Sequence, residues 1–287
     1  DLYRRLKAMK EVSSNRADST QPVREEESSS VGSGDTPTAP AEAGAIGAPP
    51  PGFDLEGEIF VRRELIPYDQ ILSEGEHLLP PAEIHLPRRL LRQAISSPAP
   101  PRALRSHIFF DLEATGLSTS AGSVAFLLGL GSARDEGFSL VQWLLPDYPY
   151  EPELLLSFLD EITEMESVLG ELTLVSYNGR SFDTPLLKSR MRMNGVRALE
   201  IPELDLLPAS RRFWRNAIEN CSLGTIEREV LGLRRGFDIP GALVPLRYFD
   251  YLEERRPELL REVVEHHRQD ILSLYLLLVE LERIIRG

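Results

Sequence analysis

The chain has 287 residues, of which 42% are hydrophobic and 27% are charged. This balance is typical of a globular protein and excludes the collagen, coiled-coil and disulfide-stapled classes. The formal net charge of -13 argues against a basic coat protein for nucleic acids and against a membrane-surface protein. An enzyme that acts on nucleic acid through a local basic path is compatible with this charge.

Cysteine content and hydropathy limit the compartment that we expect. The single cysteine, Cys221, excludes an internal disulfide and a metal site built from several cysteines. We therefore expect a reducing compartment and a cytoplasmic location. No apolar run reaches the length of about 18 residues that crosses a bilayer. The first residues also lack the apolar segment of a secretory signal, so we expect no membrane partner.

Three segments of different composition follow one another along the chain. Residues 1–52 consist mainly of small, polar and proline residues, which predicts a disordered, low-complexity N-terminal segment. Residues 53–106 are rich in proline, and we expect them to form an extension that packs on the core, with a strand at 58–65 and a short helix at 88–95. Residues 107–287 form the predicted globular core.

Apolar runs, helical spacing and turn residues predict the elements of the core in chain order. Three strands are expected at 108–113, 124–131 and 138–145, followed by a helix at 152–168, a strand at 172–177, a helix at 184–193, a short strand at 202–206, a helix at 222–231 and a long helix at 258–285. Ser222 is expected to cap the helix that Gly232 closes. The long helix is expected to be interrupted near His266.

Asp111 and Glu113 end the first strand of the predicted core. Side chains alternate along a strand, so two residues that are separated by one position point to the same face. Two adjacent carboxylates repel each other unless a cation lies between them, and oxygen ligands of this kind suit Mg²⁺ or Mn²⁺. For this pair alone, a solvated strand end is the simpler alternative.

Asp183 follows another apolar strand, at the point where the chain enters a helix. An acid at this place can cap the helix N-terminus, which is the structural alternative. It can also face the Asp111/Glu113 pair from a neighbouring strand end. Asn178 and Gly179 between the strand and the helix predict a turn with close backbone approach.

His266 and Asp270 lie four residues apart, so they are neighbours if both belong to one helix. A histidine beside a metal-bound acid is suited to activate water near neutral pH. The alternative is that His266 and His267 are exposed and that Asp270 caps the helix. Taken together, the four acids and one histidine fit a site in which two metal ions, roughly 3.5–4 Å apart, clamp a phosphodiester.

The core resembles the DEDD exonucleases of the RNase H-like superfamily, most closely the YprB-like branch. Three motifs, at 109–117, 177–186 and 265–274, carry the resemblance, and residues 221–232 resemble a helix that lines the active-site groove in that family. The resemblance begins near residue 107 and implies an α/β fold with a mixed five-stranded sheet flanked by helices. It also implies 3′–5′ exonuclease activity on nucleic acid.

The resemblance further implies a role for each residue of the site. Asp111 bridges two Mg²⁺ or Mn²⁺ ions, Glu113 and Asp270 complete the site of one ion, and Asp183 supports the other. His266 takes the place of the general base. In His-type exonucleases the base stands five residues before the last acid, where this chain has Glu265, so His267 stays a second candidate.

Substrate contacts are expected from residues of the same motifs and from a local basic path. The resemblance places Leu117 against the terminal base, and Thr115, Asn178 and Arg180 complete the contacts expected from the first two motifs. Arginines also surround an aromatic pair, a pattern that can hold a single strand by charge and stacking: Arg211, Arg212, Phe213, Trp214 and Arg215, with Arg234 and Arg235 further along. The alternative is that the aromatics are core residues and the arginines pair with acids.

The sequence therefore predicts a metal-dependent 3′–5′ exonuclease acting on single-stranded DNA or RNA ends. A non-catalytic nucleic-acid-binding or scaffold protein of the same fold is the alternative, although four mutually repelling carboxylates have no role in a scaffold. A haloacid-dehalogenase-like phosphatase is a remote third reading, because that chemistry needs an aspartate where Glu113 stands. The sequence leaves open the choice of DNA or RNA, the polarity of cleavage, the protein partners and the oligomeric state.

Overall fold

The computed structural model of the chain describes residues 46–72, 104–116, 122–233, 235 and 239–286. Most of the segment that is predicted to be disordered, the helix predicted at 88–95 and Leu117 lie outside the described residues. The boundaries between the three predicted segments stay predictions. In the part of the chain that is described, no helix combines the length and the apolar character needed to span a membrane.

A seven-stranded mixed sheet forms the centre of the described structure. Its strands are numbered in chain order and lie side by side as β1 (Asp54–Glu56), β2 (Ile59–Ile66), β5 (Phe138–Leu144), β4 (Ala125–Ala133), β3 (His107–Ala114), β6 (Thr173–Ser176) and β7 (Glu203–Asp205). The first five strands in this spatial order, β1, β2, β5, β4 and β3, are each antiparallel to their neighbours among the five. Strand β6 is parallel to β3, and β7 is parallel to β6.

The predicted α/β class with a mixed sheet is confirmed, but the described sheet has seven strands instead of five. The five expected strands are β5, β4, β3, β6 and β7. The additional strands β1 and β2 come from the extension that precedes the core, and residues Phe60–Ile66 of β2 pair with the whole of β5. The family resemblance starts near residue 107, so it could not include these two strands.

Helices cover the two faces of the sheet. They are α1 (Tyr68–Leu72), α2 (Glu151–Leu169), α3 (Asp183–Met193), α4 (Leu206–Trp214), α5 (Leu223–Ile226), α6 (Val244–Glu254) and α7 (Arg261–Arg286). The helix predicted at 222–231 is α5 followed by a π-helical turn at Glu227–Leu231. The predicted long helix begins as α7 at Arg261, after the 3₁₀ turn Pro257–Leu260, and runs through His266 without a break.

Side-chain alternation in β3 separates two apolar cores. Phe110 packs against Phe158 of α2, with the ring centres 5.7 Å apart, whereas Phe109 packs edge-on against Tyr275 of α7 at 5.6 Å. Asp111 follows Phe109 by two residues, so its side chain lies on the α7 face of the sheet, and Glu113 shares that face. The strand therefore directs both acids towards the helix that carries Asp270.

Two glycines of β4 allow α7 to lie close to the sheet beside the acids. Gly129 is the register partner of Asp111, and Gly131 is the partner of Phe109. A Cβ atom added to Gly129 would lie 2.4 Å from His267 Cε1 and 2.3 Å from Ile271 Cδ1. Only a residue without a side chain fits there while α7 keeps its position.

Strand β2 of the extension also contacts α7. Arg268 of α7 donates two hydrogen bonds to the Glu64 carboxylate, at 2.7 and 2.8 Å. Arg62 donates to Glu265 of the same helix at 2.8 Å. These ion pairs link a strand from the extension to the turn of α7 that carries the histidines.

Candidate metal centre

Asp111 and Glu113 stand at the C-terminal end of β3, where the pairing with β4 shifts between Glu113 and Ala114. Their side chains are 18% and 17% exposed. Thr115 directly follows this end and is buried: its main-chain N–H donates to the Val124 carbonyl at 2.9 Å, and its hydroxyl accepts from the Val124 N–H at 3.0 Å. Thr115 thus closes the strand end that presents both acids.

Asp183 is the first residue of α3, and the helix N-cap is Phe182, whose side chain makes no capping bond. The turn before it places Asn178 at a φ of 63°, and the Asn178 main-chain N–H donates to Asp205 Oδ1 at 2.8 Å. Gly179 lies against β6, because a Cβ added there would be 2.6 Å from Ser176 Oγ. The strand-turn-helix connection therefore brings Asp183 back to the strand ends, beside Glu203 and Asp205 of β7.

His266 and Asp270 lie well inside α7, which begins at Arg261, so the idea that Asp270 caps the helix is wrong. His266 Nε2 lies 3.5 Å from Asp270 Oδ2 and 4.0 Å from Glu113 Oε1. Glu113, His266 and Asp270 each offer one ligand atom, and these atoms lie within 4.8 Å of one another. Two carboxylate oxygens and an imidazole nitrogen at this spacing could hold a divalent metal ion.

Asp111 and Asp183 border this group and interact with it electrostatically. Burial raises the pKa of Asp111 well above its ordinary value, and the carboxylates of Asp270, Asp183 and Glu113 raise it further. Burial, followed by Asp270 and Asp183, does the same for the pKa of Glu113. Burial also raises the pKa of Asp270, against the opposing effects of His266 and Arg235.

The pKa of Asp183 is raised to about 7 by burial and then by the carboxylates of Glu203, Asp205 and Asp270. The four predicted acids are thus near enough to disfavour one another's ionised forms. A bound divalent cation is the group that reverses this, because it favours the ionised carboxylates that surround it. The donor set of carboxylate oxygens fits Mg²⁺ or Mn²⁺.

His267 has a different environment from its neighbour His266. Its side chain is fully buried, Nε2 lies 3.1 Å from the Asp111 main-chain oxygen, and Nδ1 lies 2.9 Å from Gln142 Nε2. Because the Gln142 amide donates to Nδ1, the ring carries its proton on Nε2 and donates it to Asp111. Burial lowers the pKa of His267 to about 4. Both ring nitrogens are therefore engaged in holding the fold.

Arg235 and Glu227 border the acids, although the sequence does not predict this place for either residue. The sequence groups Arg235 with arginines that could contact phosphate. In the structure its Nε and Nη2 donate to Glu227 at 2.5 and 2.8 Å, Nη2 also donates to Asp270, and Nη1 donates to His266 Nδ1 at 2.7 Å. Glu227 Oε1 further accepts from Ser273 Oγ at 2.5 Å.

The arginines and aromatic residues that are predicted to contact substrate differ in their exposure. Arg180 and Arg212 are exposed, and Phe213 is 39% exposed. Trp214 is partly buried and packs against the α7 core, so the core interpretation holds for Trp214 but not for Phe213. The two rings lie 5.8 Å apart. Phe182, which lies in the second motif but is not among the predicted substrate contacts, is 49% exposed directly before Asp183.

A cavity of about 560 Å³ adjoins the Arg235 side of the centre. Its wall consists of residues from α5, the π-helical turn and the chain on either side of them: Ser222, Gly224, Thr225, Glu227, Arg228, Leu233 and Arg235. This segment therefore borders an open space beside Arg235, which contacts His266 and Asp270.

The fold and the acidic centre define an α/β protein with a candidate divalent-metal site at the end of its central strand. A family model described as RNase_H superfamily matches residues 108–282. The chain belongs to the RNase H superfamily. This membership removes the haloacid-dehalogenase-like phosphatase reading.

Two similar proteins give further context. Over 178 residues the chain is 39% identical to "Uncharacterized protein YprB" of Bacillus subtilis (strain 168), a match that covers 61% of this chain and 41% of that protein. The chain thus matches less than half of the length of this relative. The resemblance to YprB-like proteins is confirmed. The family B DNA polymerase from the hyperthermophilic archaeon Pyrobaculum calidifontis has a TM-score of 0.48 and 17% identity, over 62% of this chain and 24% of the polymerase.

Proposed function

We propose that this protein is a metal-dependent nuclease and, more specifically, a 3′–5′ exonuclease on single-stranded DNA or RNA. The observation that carries the proposal is the meeting of four carboxylates, from β3, α3 and α7, in surroundings that raise their pKa. Such an arrangement destabilises a metal-free protein, so it speaks for a function that requires a cation. It speaks equally against a scaffold that only retains the fold.

Asp111, Glu113, Asp183 and Asp270 are the residues that would hold two Mg²⁺ or Mn²⁺ ions. We assign Asp111 to both ions, Glu113 and Asp270 to one, and Asp183 to the other. Bound in this way, the ions would lower the pKa of the attacking water and stabilise the leaving oxygen of the phosphodiester. The acids are fixed on a strand and two helices, so the ions that they would hold would have defined positions.

His266 is the histidine that we assign to the attacking water. Its Nε2 faces the acids, whereas both nitrogens of His267 are used within the protein. Arg235 can only donate, so Nδ1 of His266 accepts and the proton of the neutral ring lies on Nε2. With this contact closed, the Nε2–H group orients the water. His266 can serve as general base only when this contact opens and the ring proton is carried by Nδ1, because Nε2 then has a free lone pair to accept a proton from the water.

The substrate strand is proposed to follow the basic and aromatic residues around the acids. Arg180 and Arg212 would bind phosphates, and the exposed ring of Phe213 would stack on a base, with the core residue Trp214 beside it. Leu117 is proposed to pack on the terminal base. Asn178 and Thr115 would act from the turn and the strand end, where they shape the contact surface for the terminal nucleotide. A local path of this kind is needed, because the whole chain carries a net charge of -13.

A product ladder tests the polarity and the type of cleavage together. Matched single strands of DNA and RNA, labelled at either the 5′ or the 3′ end, are incubated with the protein and Mn²⁺ or Mg²⁺. The proposal predicts a ladder of shortening 5′-labelled products, and immediate release of a labelled mononucleotide from the 3′-labelled strand. Internal fragments from both labels would indicate an endonuclease instead, and shortening from the other end would reverse the polarity.

A further inference from the structure

We propose that Arg235 is a positioning residue of the metal centre, which holds Asp270 and His266 in the orientation that turns both towards Glu113. The inference rests on the proposed function, because it concerns how the centre is prepared for divalent ions. It concerns a residue outside the three sequence motifs, whose guanidinium contacts three of the polar side chains around the centre.

The guanidinium has a rigid anchor in Glu227. The Glu227 side chain is 2% exposed and receives two hydrogen bonds from Arg235 and one from Ser273 of α7. A buried ion pair of this kind is stable only when its remaining acceptor sites are also satisfied, and the Ser273 hydroxyl provides one such bond. Arg235 is therefore fixed at one edge by a paired acid, which leaves its other nitrogens at defined positions.

The remaining contacts of Arg235 are made to Asp270 Oδ1 and His266 Nδ1, and not to the Asp270 and His266 atoms that lie closest to each other. Nη2 donates to Asp270 Oδ1 and Nη1 donates to His266 Nδ1, whereas Asp270 Oδ2 and His266 Nε2 lie 3.5 Å apart and Nε2 faces Glu113. Arg235 thus engages one nitrogen or oxygen of each residue and leaves the other for the centre. For Asp270 this is how a residue behind a metal site orients a ligand, and for His266 the same contact fixes the plane of the ring.

The proposal is tested by whether Mn²⁺ binds more weakly or more tightly when Arg235 is replaced. Removing a positive charge near the centre would by itself strengthen cation binding. Loss of positioning weakens it, by about 10–100-fold for residues that orient metal ligands. We expect Arg235→Ala to bind Mn²⁺ about 10–100-fold more weakly in calorimetry, and Arg235→Lys, which keeps the charge but loses the planar fork, to fall between it and the wild type. Unchanged or tighter Mn²⁺ binding by Arg235→Ala overturns the proposal.

Two further variants keep the result interpretable. Arg235→Ala leaves Glu227 as a buried, unpaired acid, so the double variant Arg235→Ala/Glu227→Gln is measured if the single variant does not fold. It is expected to show the same weakened Mn²⁺ binding, and wild-type affinity in the folded double variant also overturns the proposal. The matched control is Arg283→Ala, which removes an exposed charge from the same helix about 20 Å beyond Asp270. We expect its Mn²⁺ affinity to equal that of the wild type.

Nuclease kinetics separate this inference from the proposed function. Where the wild type degrades single strands, Arg235→Ala is expected to lower kcat by about 10–100-fold with KM within about threefold, and guanidinium ions are expected to restore part of the kcat. A kcat that is unchanged in Arg235→Ala, or one that falls and is not restored by guanidinium, contradicts positioning. If the wild type degrades no nucleic acid while Mn²⁺ binding still weakens in Arg235→Ala, the proposed function fails and the role of Arg235 stands.

Discussion

The imidazole of His267 donates a hydrogen bond to the main-chain carbonyl of Asp111, with Nε2 and O 3.1 Å apart. Helix α7 is thereby tied to the strand residue that we assign to both metal ions. His266, the preceding residue, points about 100° away around the helix and meets the acids. Adjacent histidines thus have separate tasks, one in the fold and one at the centre.

This division predicts opposite results for two alanine variants. His267→Ala removes the partner of the Asp111 carbonyl and of Gln142 and leaves a cavity, so we expect a loss of about 2–4 kcal/mol in the free energy of unfolding. His266→Ala removes one hydrogen bond to Arg235, which keeps its other partners, so we expect a smaller loss of about 1 kcal/mol, while kcat falls by about 10²–10⁴-fold. Urea unfolding and single-strand degradation measure the two quantities, and the reverse pattern would exchange the two roles.

Gly129 provides a test of the close contact between β4 and α7. In Gly129→Ala the new methyl group would overlap His267 Cε1 and Ile271 Cδ1, at 2.4 and 2.3 Å. We expect a destabilisation of about 1–3 kcal/mol or more, because the helix must move away from the sheet. Gly241→Ala is the control, since a Cβ at Gly241 meets nothing within 4 Å. Equal stability of both variants would show that α7 does not lie on β4 as described.

The raised pKa values of the acids predict that the metal-free protein becomes less stable as the pH rises. The pKa of Asp183 is about 7 in the folded state, against an ordinary value of 3.8, so between these values the folded protein binds more protons than the unfolded chain. The contribution of this proton to the free energy of unfolding is fully present below about pH 4 and is lost as the pH rises through 7. The free energy of unfolding changes by up to about 1.4 kcal/mol per pH unit for each such proton.

Chemical unfolding in chelator at pH 5 to 8 measures this dependence. We expect the stability of Asp183→Asn to depend less steeply on pH than that of the wild type. The variant lacks one carboxyl group with a raised pKa, and the loss of its charge also lowers the pKa of Asp111 and Glu113. Mn²⁺ at pH 8 is expected to restore stability in the wild type, since a cation favours the ionised acids. Identical slopes for the variant and the wild type would contradict the assigned repulsion.

Arg212 tests the proposed path of the strand. Its side chain is exposed on α4, so Arg212→Ala should leave the free energy of unfolding within about 0.5 kcal/mol of the wild-type value. Loss of one phosphate contact should raise KM, leave kcat unchanged and lower the salt slope of single-strand binding by about 0.7. Arg283→Ala, an exposed change on α7, should alter none of these. An unchanged salt slope in Arg212→Ala would remove this residue from the path.

Much of the sheet could be predicted from the sequence, because apolar runs and alternation are local properties of a strand. Two helices of the core were not predicted. Helix α4 carries Pro208 near its start and depends on Asp205, whose side chain accepts from the Leu207 N–H at 3.0 Å. Helix α6 is short and has Pro245 in its first turn. In both, packing on other elements outweighs a weak local signal.

The acids could be predicted because each lies in a short motif with its own spacing. The roles of the two histidines could not, since they depend on the rotation of α7 about its axis when it packs on Gly129. The place of Arg235 could not be predicted either, because its pairing with Glu227, Asp270 and His266 joins separate segments in space. From the sequence alone, an arginine in an acidic chain is equally suited to bind a phosphate or a carboxylate.

The most direct test compares the wild type with Asp111→Asn in the degradation of a 5′-labelled single-stranded oligonucleotide with Mn²⁺. The substitution removes one charge at the strand end, and we expect the folded variant to lose at least about 10³-fold of the wild-type rate. Wild-type degradation should also stop in chelator and return when Mn²⁺ is added. Equal rates in the two proteins, or degradation that continues in chelator, would contradict a metal centre built on Asp111.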